Sequence, residues 1–261
     1  MHGGMMRGQW MLFGCLVGCS EPPAHNGMVT DRWGKPIAGV TIGLDGTAKQ
    51  LVSGADGQFT VPVQPKEVKL RAGKPGFIKK SVKLSPHSGD AKPALVRIAL
   101  YPDPDSTGFY AVTSSAYSGV DSQPVKTVGT DIRAFNGLLD VGKVRLKGNK
   151  PLEFVFSSQA RRSELKRLGL QLHKLKFLEN DTVPGVLGET TVKLNLWVSD
   201  STVPFDLTGM ETEDDYSIKT REKLEPGVYA FHTQGILSSK DPAVLDKLPE
   251  EMRVAFPFEV R

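Results

Sequence analysis

The sequence predicts an all-β protein of two β-sandwich-like domains in tandem, the second of which carries one or two short helices. Twenty-seven glycines and 18 prolines among 261 residues, with several Asp-Gly pairs, are typical of short strands joined by tight turns. Apolar and polar residues alternate in most apolar segments, which is the period of a half-buried strand. A hydrophobic content of 39% is sufficient for the cores of two modest domains.

The N-terminal segment has the pattern of a secretory signal. Arg7 precedes the apolar run WMLFGCLVG, which is far shorter than the ~20 residues that span a bilayer as a helix. At its end, Leu16-Val17-Gly18-Cys19 resembles the bacterial lipobox. The resemblance implies that residues 1–18 are a lipoprotein signal peptide, cut between Gly18 and Cys19, and that the Cys19 sulfur carries lipid. Two or three acyl chains give stable membrane anchoring.

Cys15 leaves other interpretations of the two cysteines open. Leu12-Phe13-Gly14-Cys15 has nearly the same pattern, although Phe13 is bulky for a cleavage site. We prefer Cys19 because its use removes Cys15 with the signal. A redox pair normally has the spacing C-x-x-C, and a zinc site needs further ligands nearby. The remaining alternative is a fortuitously apolar N-terminus.

The residues after the lipobox predict a location. Residues 19–25, CSEPPAH, form a short polar tether of the kind that holds a domain away from a surface. Ser20 at the second mature position resembles the sorting signal for the outer membrane of Gram-negative bacteria. We therefore expect an envelope protein that contacts the membrane through its lipid anchor.

Residues 26–101 are predicted to form the first sandwich. Alternating apolar residues mark its strands, as in residues 40–44 and 59–63. Asp45-Gly46 and Asp56-Gly57 are expected to supply the positive φ of tight hairpins. Residues 27–40, GMVTDRWGKPIAGV, and Asp56-Gly57-x-Phe59 resemble the motifs of the carboxypeptidase regulatory-like (transthyretin-like) β-sandwich. The resemblance implies a fold rather than an activity, since such modules are non-catalytic spacers or binding platforms.

Trp33 lies at the tip of the first turn of this motif. An exposed aromatic ring there can stack on a sugar or insert at an interface. Alternatively, the ring folds over the end of its own sandwich. Trp33 is therefore one of two candidate ligand contacts.

Residues 107–261 are predicted to form the second β-rich domain, after the proline-bearing break at 101–107. Alternation is clear in residues 192–198 and 254–260. Residues 157–170, with Ser158 as N-cap, can form a helix or a charged loop that leads into a strand at Leu168. Residues 241–252 form a second candidate helix, with Asp241 as N-cap. We recognise no family for this half.

Trp197 is the second candidate ligand contact. It lies on the face of its predicted strand opposite Val198 and can line a ligand cleft, although packing between sheets is the usual role of such a residue.

Charge differs between the two halves. Basic residues exceed acidic ones by seven in residues 24–101, whereas acidic residues exceed basic ones by three in residues 102–261. The basic half suits anionic headgroups or polymers, or it reflects solvated lysines on strand faces. The charge division favours a polar, salt-sensitive partner contact. Nothing resembles a recognition helix or a basic-aromatic surface, so we predict no nucleic-acid partner.

The motifs that resemble catalytic or metal sites are incomplete. Residues 137–144 lack the final hydroxyl of a phosphate-binding loop, and residues 163–166 match S-x-x-K without its partner motifs. The five histidines have no metal-ligand spacing, and the acidic residues of 211–215 lack the order of a calcium loop. We predict no catalytic residue, no cofactor and no metal.

We therefore expect a non-enzymatic, membrane-anchored envelope lipoprotein that acts as a binding, presentation or structural module, with envelope proteins or glycans as partners. The competing hypothesis is a lipid-anchored hydrolase with its active site in the distal domain, for which Ser163 and His232 are the residues to mutate. A third hypothesis is a spacer without a ligand.

Overall fold

The computed structural model describes residues 23–86, 95–129, 133–158, 160–185, 188–239 and 241–261. Nearly all of the regular structure within them is β-sheet. The strands are β1 (Ala24–Asp31), β2 (Thr41–Leu44), β3 (Gln50–Val52), β4 (Gln58–Pro62), β5 (Val68–Gly73), β6 (Phe77–Ile78), β7 (Lys80–Leu84), β8 (Val96–Pro102), β9 (Gly108–Val112), β10 (Tyr117–Val120), β11 (Gln123–Gly129), β12 (Ala134–Leu138), β13 (Arg145–Leu146), β14 (Pro151–Ser157), β15 (Gln171–Gly185), β16 (Gly188–Thr202), β17 (Phe205–Gly209), β18 (Asp215–Lys223), β19 (Gly227–His232) and β20 (Val254–Val260). The helices are α1 (Arg162–Leu168) and two 3-10 helices at Pro242–Val244 and Glu250–Met252.

Strands β1 to β8 form the first unit, a sandwich of two four-stranded sheets. One sheet has the order β4-β1-β8-β6 and the other β3-β2-β5-β7, with β1 and β8 parallel. The alternating apolar side chains of both sheets meet in one core. Its members include Val29, Ile42, Val61, Leu70 and Leu100, which have no exposed surface. The predicted all-β sandwich is confirmed.

The glycine that opens the predicted family motif makes room for an aromatic ring. Gly27 of β1 pairs with Phe59 of β4, and a Cβ atom at Gly27 would overlap the Phe59 ring. The ring covers the glycine backbone and is almost entirely buried. The opening glycine and the D-G-x-F phenylalanine therefore form one packing unit.

One predicted hairpin is wrong. Asp45-Gly46 does join two paired strands, β2 and β3. Asp56-Gly57 also forms a turn, with φ +76° at Gly57, but β4 pairs with β1 rather than with β3. This turn carries the chain from one sheet of the sandwich to the other, a choice that turn chemistry alone does not determine.

Strands β9 to β20 form the second unit. A five-stranded sheet, β10-β9-β14-β18-β17, packs against a seven-stranded sheet, β11-β12-β16-β15-β19-β20-β13. The main core between them is rich in phenylalanine, including Phe109, Phe154, Phe231 and Phe258. Strand β11 also pairs with β20, so the large sheet curls back on itself. A second core, which includes Ile236, fills its concave side.

Both helical segments are shorter than predicted. The α-helix begins at Arg162 after Arg161 as N-cap, and Gly169 ends it in the left-handed conformation. Ser158 instead accepts a hydrogen bond from the Ala160 amide, and the strand predicted at Leu168 starts at Gln171. The segment 241–252 contains only the two 3-10 helices, the first capped by Asp241 as predicted.

Candidate functional site

Polar and aromatic side chains meet where the first unit contacts the second. The loop after β1 and the end of β8 supply the side of the first unit, and β9, β10 and β14 supply the other side. The residues that make the principal contacts are Arg32, Trp33, Tyr101, Thr113, Tyr117 and Glu153.

The loop after β1 is held in a tight turn by one carboxylate. Asp31 Oδ1 accepts hydrogen bonds from the backbone amides of Trp33 and Lys35, each at 2.9 Å. Gly34 adopts φ +92°, a conformation that favours glycine. The turn therefore projects Arg32 and Trp33 away from the first sandwich.

Trp33 spans the junction between the units. Its indole Nε1 donates a hydrogen bond to the Thr113 carbonyl oxygen at 3.1 Å. Its ring lies edge-on to Tyr117, with centroids 5.4 Å apart and an angle of 74°. The Tyr117 hydroxyl in turn donates to the Pro102 carbonyl oxygen at 2.9 Å. The indole is thus half-buried against the second unit, rather than folded over the end of its own sandwich.

A charged cluster lies beside Trp33. Arg32 Nη2 is 2.6 Å from Glu153 Oε2, and the Tyr101 hydroxyl donates to the other oxygen of the same carboxylate. The Arg32 guanidinium also lies 5.7 Å from the centre of the Tyr101 ring. Two residues of the first unit therefore satisfy one half-buried carboxylate of the second.

The protonation states follow from these contacts. Burial raises the pKa of Glu153, but hydrogen bonds from Arg32 and Tyr101 outweigh burial and hold its pKa below the usual range. Burial and the hydrogen bond to Glu153 raise the pKa of the Tyr101 hydroxyl to about 12. At neutral pH the cluster therefore contains an ionised carboxylate, a guanidinium and a protonated phenol.

A cleft of about 460 Å³ opens beside the cluster. We call it the junction cleft, because both units contribute to its wall. Its lining combines an indole ring, short apolar side chains and charged groups: Arg32, Trp33, Val112, Thr113, Ser114, Lys150, Pro151, Leu152, Glu153 and Lys219. An aromatic surface with a few convergent polar groups is the composition of a ligand site.

The junction cleft has a surplus of positive charge. Lys219 of β18 pairs in register with Glu153 of β14, and both Lys150 and Lys219 are exposed. Within the described part of the chain, neither lysine forms an ion pair. Glu153 is already paired with Arg32. Two cations are thus available to a bound group.

The basic half and the acidic half of the sequence contact each other at this junction. Lys69 of the first unit forms a second ion pair with Glu211 of the second, at 3.4 Å. In each of these two ion pairs the cation belongs to the basic half and the carboxylate to the acidic half. Some of the opposite charge of the two halves is therefore paired within the chain, and the predicted contact with a partner stays a prediction.

A comparison of the sequence with family models identifies the family of the first unit. Residues 26–100 match the carboxypeptidase regulatory-like domain. The resemblance inferred from residues 27–40 is confirmed for this part of the chain. The carboxypeptidase regulatory-like domain therefore supplies Arg32 and Trp33 to the junction cleft.

Comparison with whole proteins adds little to this assignment. No curated protein matches the sequence. One of the similar solved structures is a "putative carbohydrate binding protein" from Bacteroides uniformis, with 10% sequence identity and a TM-score of 0.25, which covers 82% of this chain and 89% of that chain. A likeness at this TM-score does not bear on the ligand.

Trp197, the other candidate contact, lies elsewhere. It pairs in register with Phe177 across β15 and β16, with ring centroids 5.3 Å apart. Trp197 packs against the second core of the large sheet, whereas Phe177 is 48% exposed. Trp197 is not in the wall of the junction cleft, so the structure does not bring it together with Trp33.

The predicted lipidation and cleavage residues, Gly18 and Cys19, and the competing Cys15 lie outside the described residues. Strand β1 begins at Ala24, so the end of the predicted tether, 19–25, already belongs to the first strand of the sandwich. Among the described residues, no helix has the length and apolar character needed to cross a membrane.

The residues named for the hydrolase hypothesis are not brought together. Ser163 lines one cavity with Tyr216, and His232 lines a different one. A separate contact joins Ser199 Oγ to His173 Nδ1 at 2.6 Å. The other nitrogen of His173 faces Thr202 Oγ1 at 3.4 Å rather than a carboxylate. Among the described residues no group of three metal-ligating side chains occurs.

Sequence reasoning missed Glu153, Tyr101 and Lys219. Glu153 occupies a polar position between the apolar Leu152 and Phe154, a pattern that predicts an ordinary solvent-facing strand residue. Tyr101 ends an apolar strand and suggests core packing. The usable signal was Arg32, because it stands next to Trp33 in the turn that projects from the carboxypeptidase regulatory-like domain.

Proposed function

We propose that this chain is a non-enzymatic lipoprotein of the bacterial envelope that binds an acidic glycan in the junction cleft. In this proposal the lipid on Cys19 holds the protein to the outer membrane, and the cleft presents the binding surface. The observation that carries the proposal is the half-buried Trp33 ring in a cleft with two lysines that form no ion pair within the described part of the chain.

The chemistry of the cleft favours a sugar over a purely apolar ligand. The apolar face of a sugar ring packs on an indole, while its hydroxyl groups form hydrogen bonds with charged and hydroxyl side chains. Ser114, Arg32 and Glu153 supply such groups. Lys150 and Lys219, which form no ion pair among the described residues, add positive charge, which suits the carboxylates of an acidic sugar.

The junction itself supports a preformed site. Trp33 is fixed by a hydrogen bond to Thr113 and by the Tyr117 ring, and Arg32 is fixed by Glu153. A rigid site loses less conformational entropy when it binds a ligand than a flexible one does. The ion pairs therefore serve binding by holding the two walls of the cleft in place.

The test is calorimetric titration of the full-length Cys19→Ser protein, which is not lipidated at that residue. The ligands are an oligogalacturonate, which is acidic, and a maltohexaose, which is neutral. We expect saturable binding of the oligogalacturonate that weakens by about tenfold or more in Trp33→Ala and with added salt. Trp197→Ala is the matched control and should bind as the parent does.

A Lys219→Ala variant separates the two parts of the proposal. It should weaken the binding of oligogalacturonate and leave any binding of maltohexaose unchanged, because it removes charge and no aromatic surface. If neither sugar binds, the proposed glycan ligand is wrong. If the neutral sugar binds as tightly as the acidic one, only the acidic assignment is wrong.

One contact favours the hydrolase as a second candidate. A serine hydroxyl 2.6 Å from an imidazole nitrogen, as in Ser199 and His173, is the first half of a nucleophile–base pair. Ser199→Ala should abolish any esterase or glycosidase activity of the purified protein if this pair is catalytic. Activity that is absent in the parent supports the non-enzymatic function, whereas activity that is unchanged in Ser199→Ala excludes this pair as the catalytic one.

A further inference from the structure

A second recess lies on the first sandwich, on the solvent side of the sheet that contains β2, β5 and β7. It has a volume of about 750 Å³, and we call it the outer groove. Its floor comes from β2 and β5, its walls come from β3, β7 and the turn before β6, and residues 211–212 of the second unit line one side. None of its lining residues belongs to the junction cleft.

Two glycines on neighbouring strands form the floor of the outer groove. Ala72 of β5 is buried in the core, so its neighbours Arg71 and Gly73 face away from the core. In the register of the sheet, Arg71 pairs with Gly43 of β2, and Gly73 pairs with Thr41. The middle of the floor therefore has no side chains.

Neither packing nor backbone conformation requires a glycine at these two positions. A Cβ atom added at Gly43 would meet nothing within 4 Å, and one added at Gly73 would be in ordinary contact with the Lys79 side chain at 3.4 Å. Neither glycine has a positive φ. Glycine inside a strand weakens it and often marks a place where a ligand approaches the backbone closely.

The walls of the outer groove carry a surplus of positive charge. Lys74, Lys79 and Lys80 line it and form no ion pair among the described residues. Lys74 Nζ and Lys80 Nζ each donate to a backbone carbonyl oxygen, and burial lowers the pKa of Lys80. Of the two lining carboxylates, Glu211 is already ion-paired and Asp103 is not. The groove therefore attracts anions, with Lys74 and Lys79 as its principal cations.

The remaining lining residues favour hydrogen bonds over stacking. Thr41 and Gln50 are exposed, and their side chains form no hydrogen bond within the described part of the chain. Arg71 is paired with Asp45. Phe77, the aromatic residue of the lining, packs against the core of the sandwich. Charge and hydrogen bonds, rather than an aromatic face, must supply the affinity for a ligand.

We propose that the outer groove binds a phosphorylated sugar or cyclitol, with its ring over Gly43 and Gly73 and its phosphates on Lys74 and Lys79. A phosphate group carries about two negative charges near neutral pH and has three strong acceptor oxygens, which suits lysines better than a singly charged carboxylate does. The volume lies within the range of small-molecule sites. This site is independent of the glycan proposal, because it shares no residue with the junction cleft.

The probes are myo-inositol hexakisphosphate and myo-inositol, which share the ring and differ in the phosphates. Calorimetric titration of the full-length Cys19→Ser protein should show saturable binding of the hexakisphosphate and no binding of myo-inositol. Lys79→Ala should weaken the binding of the hexakisphosphate by about tenfold. Lys66→Ala is the matched control and should bind as the parent does, because Lys66 is exposed and lies outside the groove.

Gly43→Val tests the floor of the groove without a change of charge. The added side chain enters open space, and a β-branched residue suits a strand, so the thermal unfolding temperature should be equal to that of the parent or higher. Binding of the hexakisphosphate should nevertheless weaken by about tenfold or more, because the valine occupies the place of the ring.

The same phosphate chemistry occurs on free molecules and on lipids, and vesicles distinguish these sources. Phosphatidylcholine vesicles that contain phosphatidylinositol phosphate present a phosphorylated ring on a membrane. If the Cys19→Ser protein sediments with them and Gly43→Val does not, the ligand of the groove is a lipid headgroup. If the hexakisphosphate binds and the vesicles do not, the ligand is a soluble molecule.

Four results would overturn the proposal: no saturable binding of the hexakisphosphate, equal binding of myo-inositol, equal losses in Lys79→Ala and Lys66→Ala, or unchanged binding in Gly43→Val. A further measurement uses the protein with its native groove residues. The backbone amide signals of Gly43 and Gly73 should shift when the hexakisphosphate is added, whereas that of Gly119 in β10 should stay in place. Unmoved glycine signals at saturation would exclude binding in the outer groove.

Discussion

Arg32 Nη2 lies 2.6 Å from Glu153 Oε2, across the junction between the two units. This ion pair joins a turn of the carboxypeptidase regulatory-like domain to the middle of a strand in the second unit. Because the side chains of Arg32 and Glu153 are 39% and 19% exposed, the pair is partly protected from solvent. It connects the two halves next to the junction cleft.

This contact should couple the stabilities of the two units. We expect Glu153→Gln to lower the free energy of unfolding by about 1–2 kcal/mol, since it weakens hydrogen bonds to a charged group. Arg32→Ala should lower the free energy of unfolding by less in the Glu153→Gln background than in the parent. Urea unfolding of the parent, the two single variants and the double variant measures the coupling energy.

An exposed pair within the first unit is the matched control. Arg71 and Asp45 form an ion pair at 2.8 Å, with side chains 65% and 39% exposed. A double-mutant cycle on this pair should give a coupling energy of about 0–1 kcal/mol. Equal coupling energies for the two pairs would contradict a special role for the junction.

The pH dependence of stability should report on His232. Its pKa of about 4 in the folded protein lies below the value of about 6.5 expected for an unfolded chain. The unfolded chain therefore binds the extra proton first as the pH falls. Stability should be full above pH 6.5 and decrease by about 3 kcal/mol toward pH 4.

The neighbouring His173, whose burial lowers its pKa as well, contributes in the same direction. The informative quantity is therefore the difference between the parent and His232→Gln, measured by urea unfolding from pH 7 to pH 4. The variant should lose less stability over this interval. Parallel curves would show that His232 is not held neutral by the fold.

The packing of Gly27 against Phe59 predicts a sharp difference between two glycine substitutions. Gly27→Ala should destabilise the protein by about 1–3 kcal/mol, because its Cβ overlaps the buried ring. Gly43→Ala has open space around the added Cβ and should be nearly neutral or slightly stabilising. Thermal unfolding of the two variants compares them. Similar losses would contradict the packing role of Gly27.

The membrane proposal rests on Cys19. We expect the mature N-terminal peptide to begin at a lipid-modified Cys19, as determined by mass spectrometry. Cys19→Ser should shift the protein out of the membrane fraction, whereas Cys15→Ser should leave it there. A Cys19→Ser protein that still fractionates with membranes would remove this part of the account.

Much of the fold could be predicted because it depends on local patterns. Alternation identified β2, β4 and the C-terminal strand β20, and the motif in residues 27–40 identified the first sandwich. The destination of the Asp56-Gly57 turn could not be predicted, because strand pairing depends on long-range contacts. The length of α1 was overestimated, since helix formers such as those before Arg162 also occur in loops.

The candidate site was predictable only at Trp33. An aromatic residue at a turn tip is a recognisable signal, whereas Glu153 looks like any polar residue of an alternating strand. The junction cleft forms because residues distant in sequence, such as Trp33 and Glu153, meet at one surface. No local pattern encodes that meeting.

The most direct test uses Trp33 as its own reporter. The sequence has three tryptophans, so a Trp10→Phe, Trp197→Phe variant retains Trp33 alone. Titration with oligogalacturonate should produce a saturable change in its fluorescence, and Lys219→Ala in the same background should weaken that response by about tenfold. Emission that stays constant while the sugar is raised to millimolar concentration would contradict binding in the junction cleft.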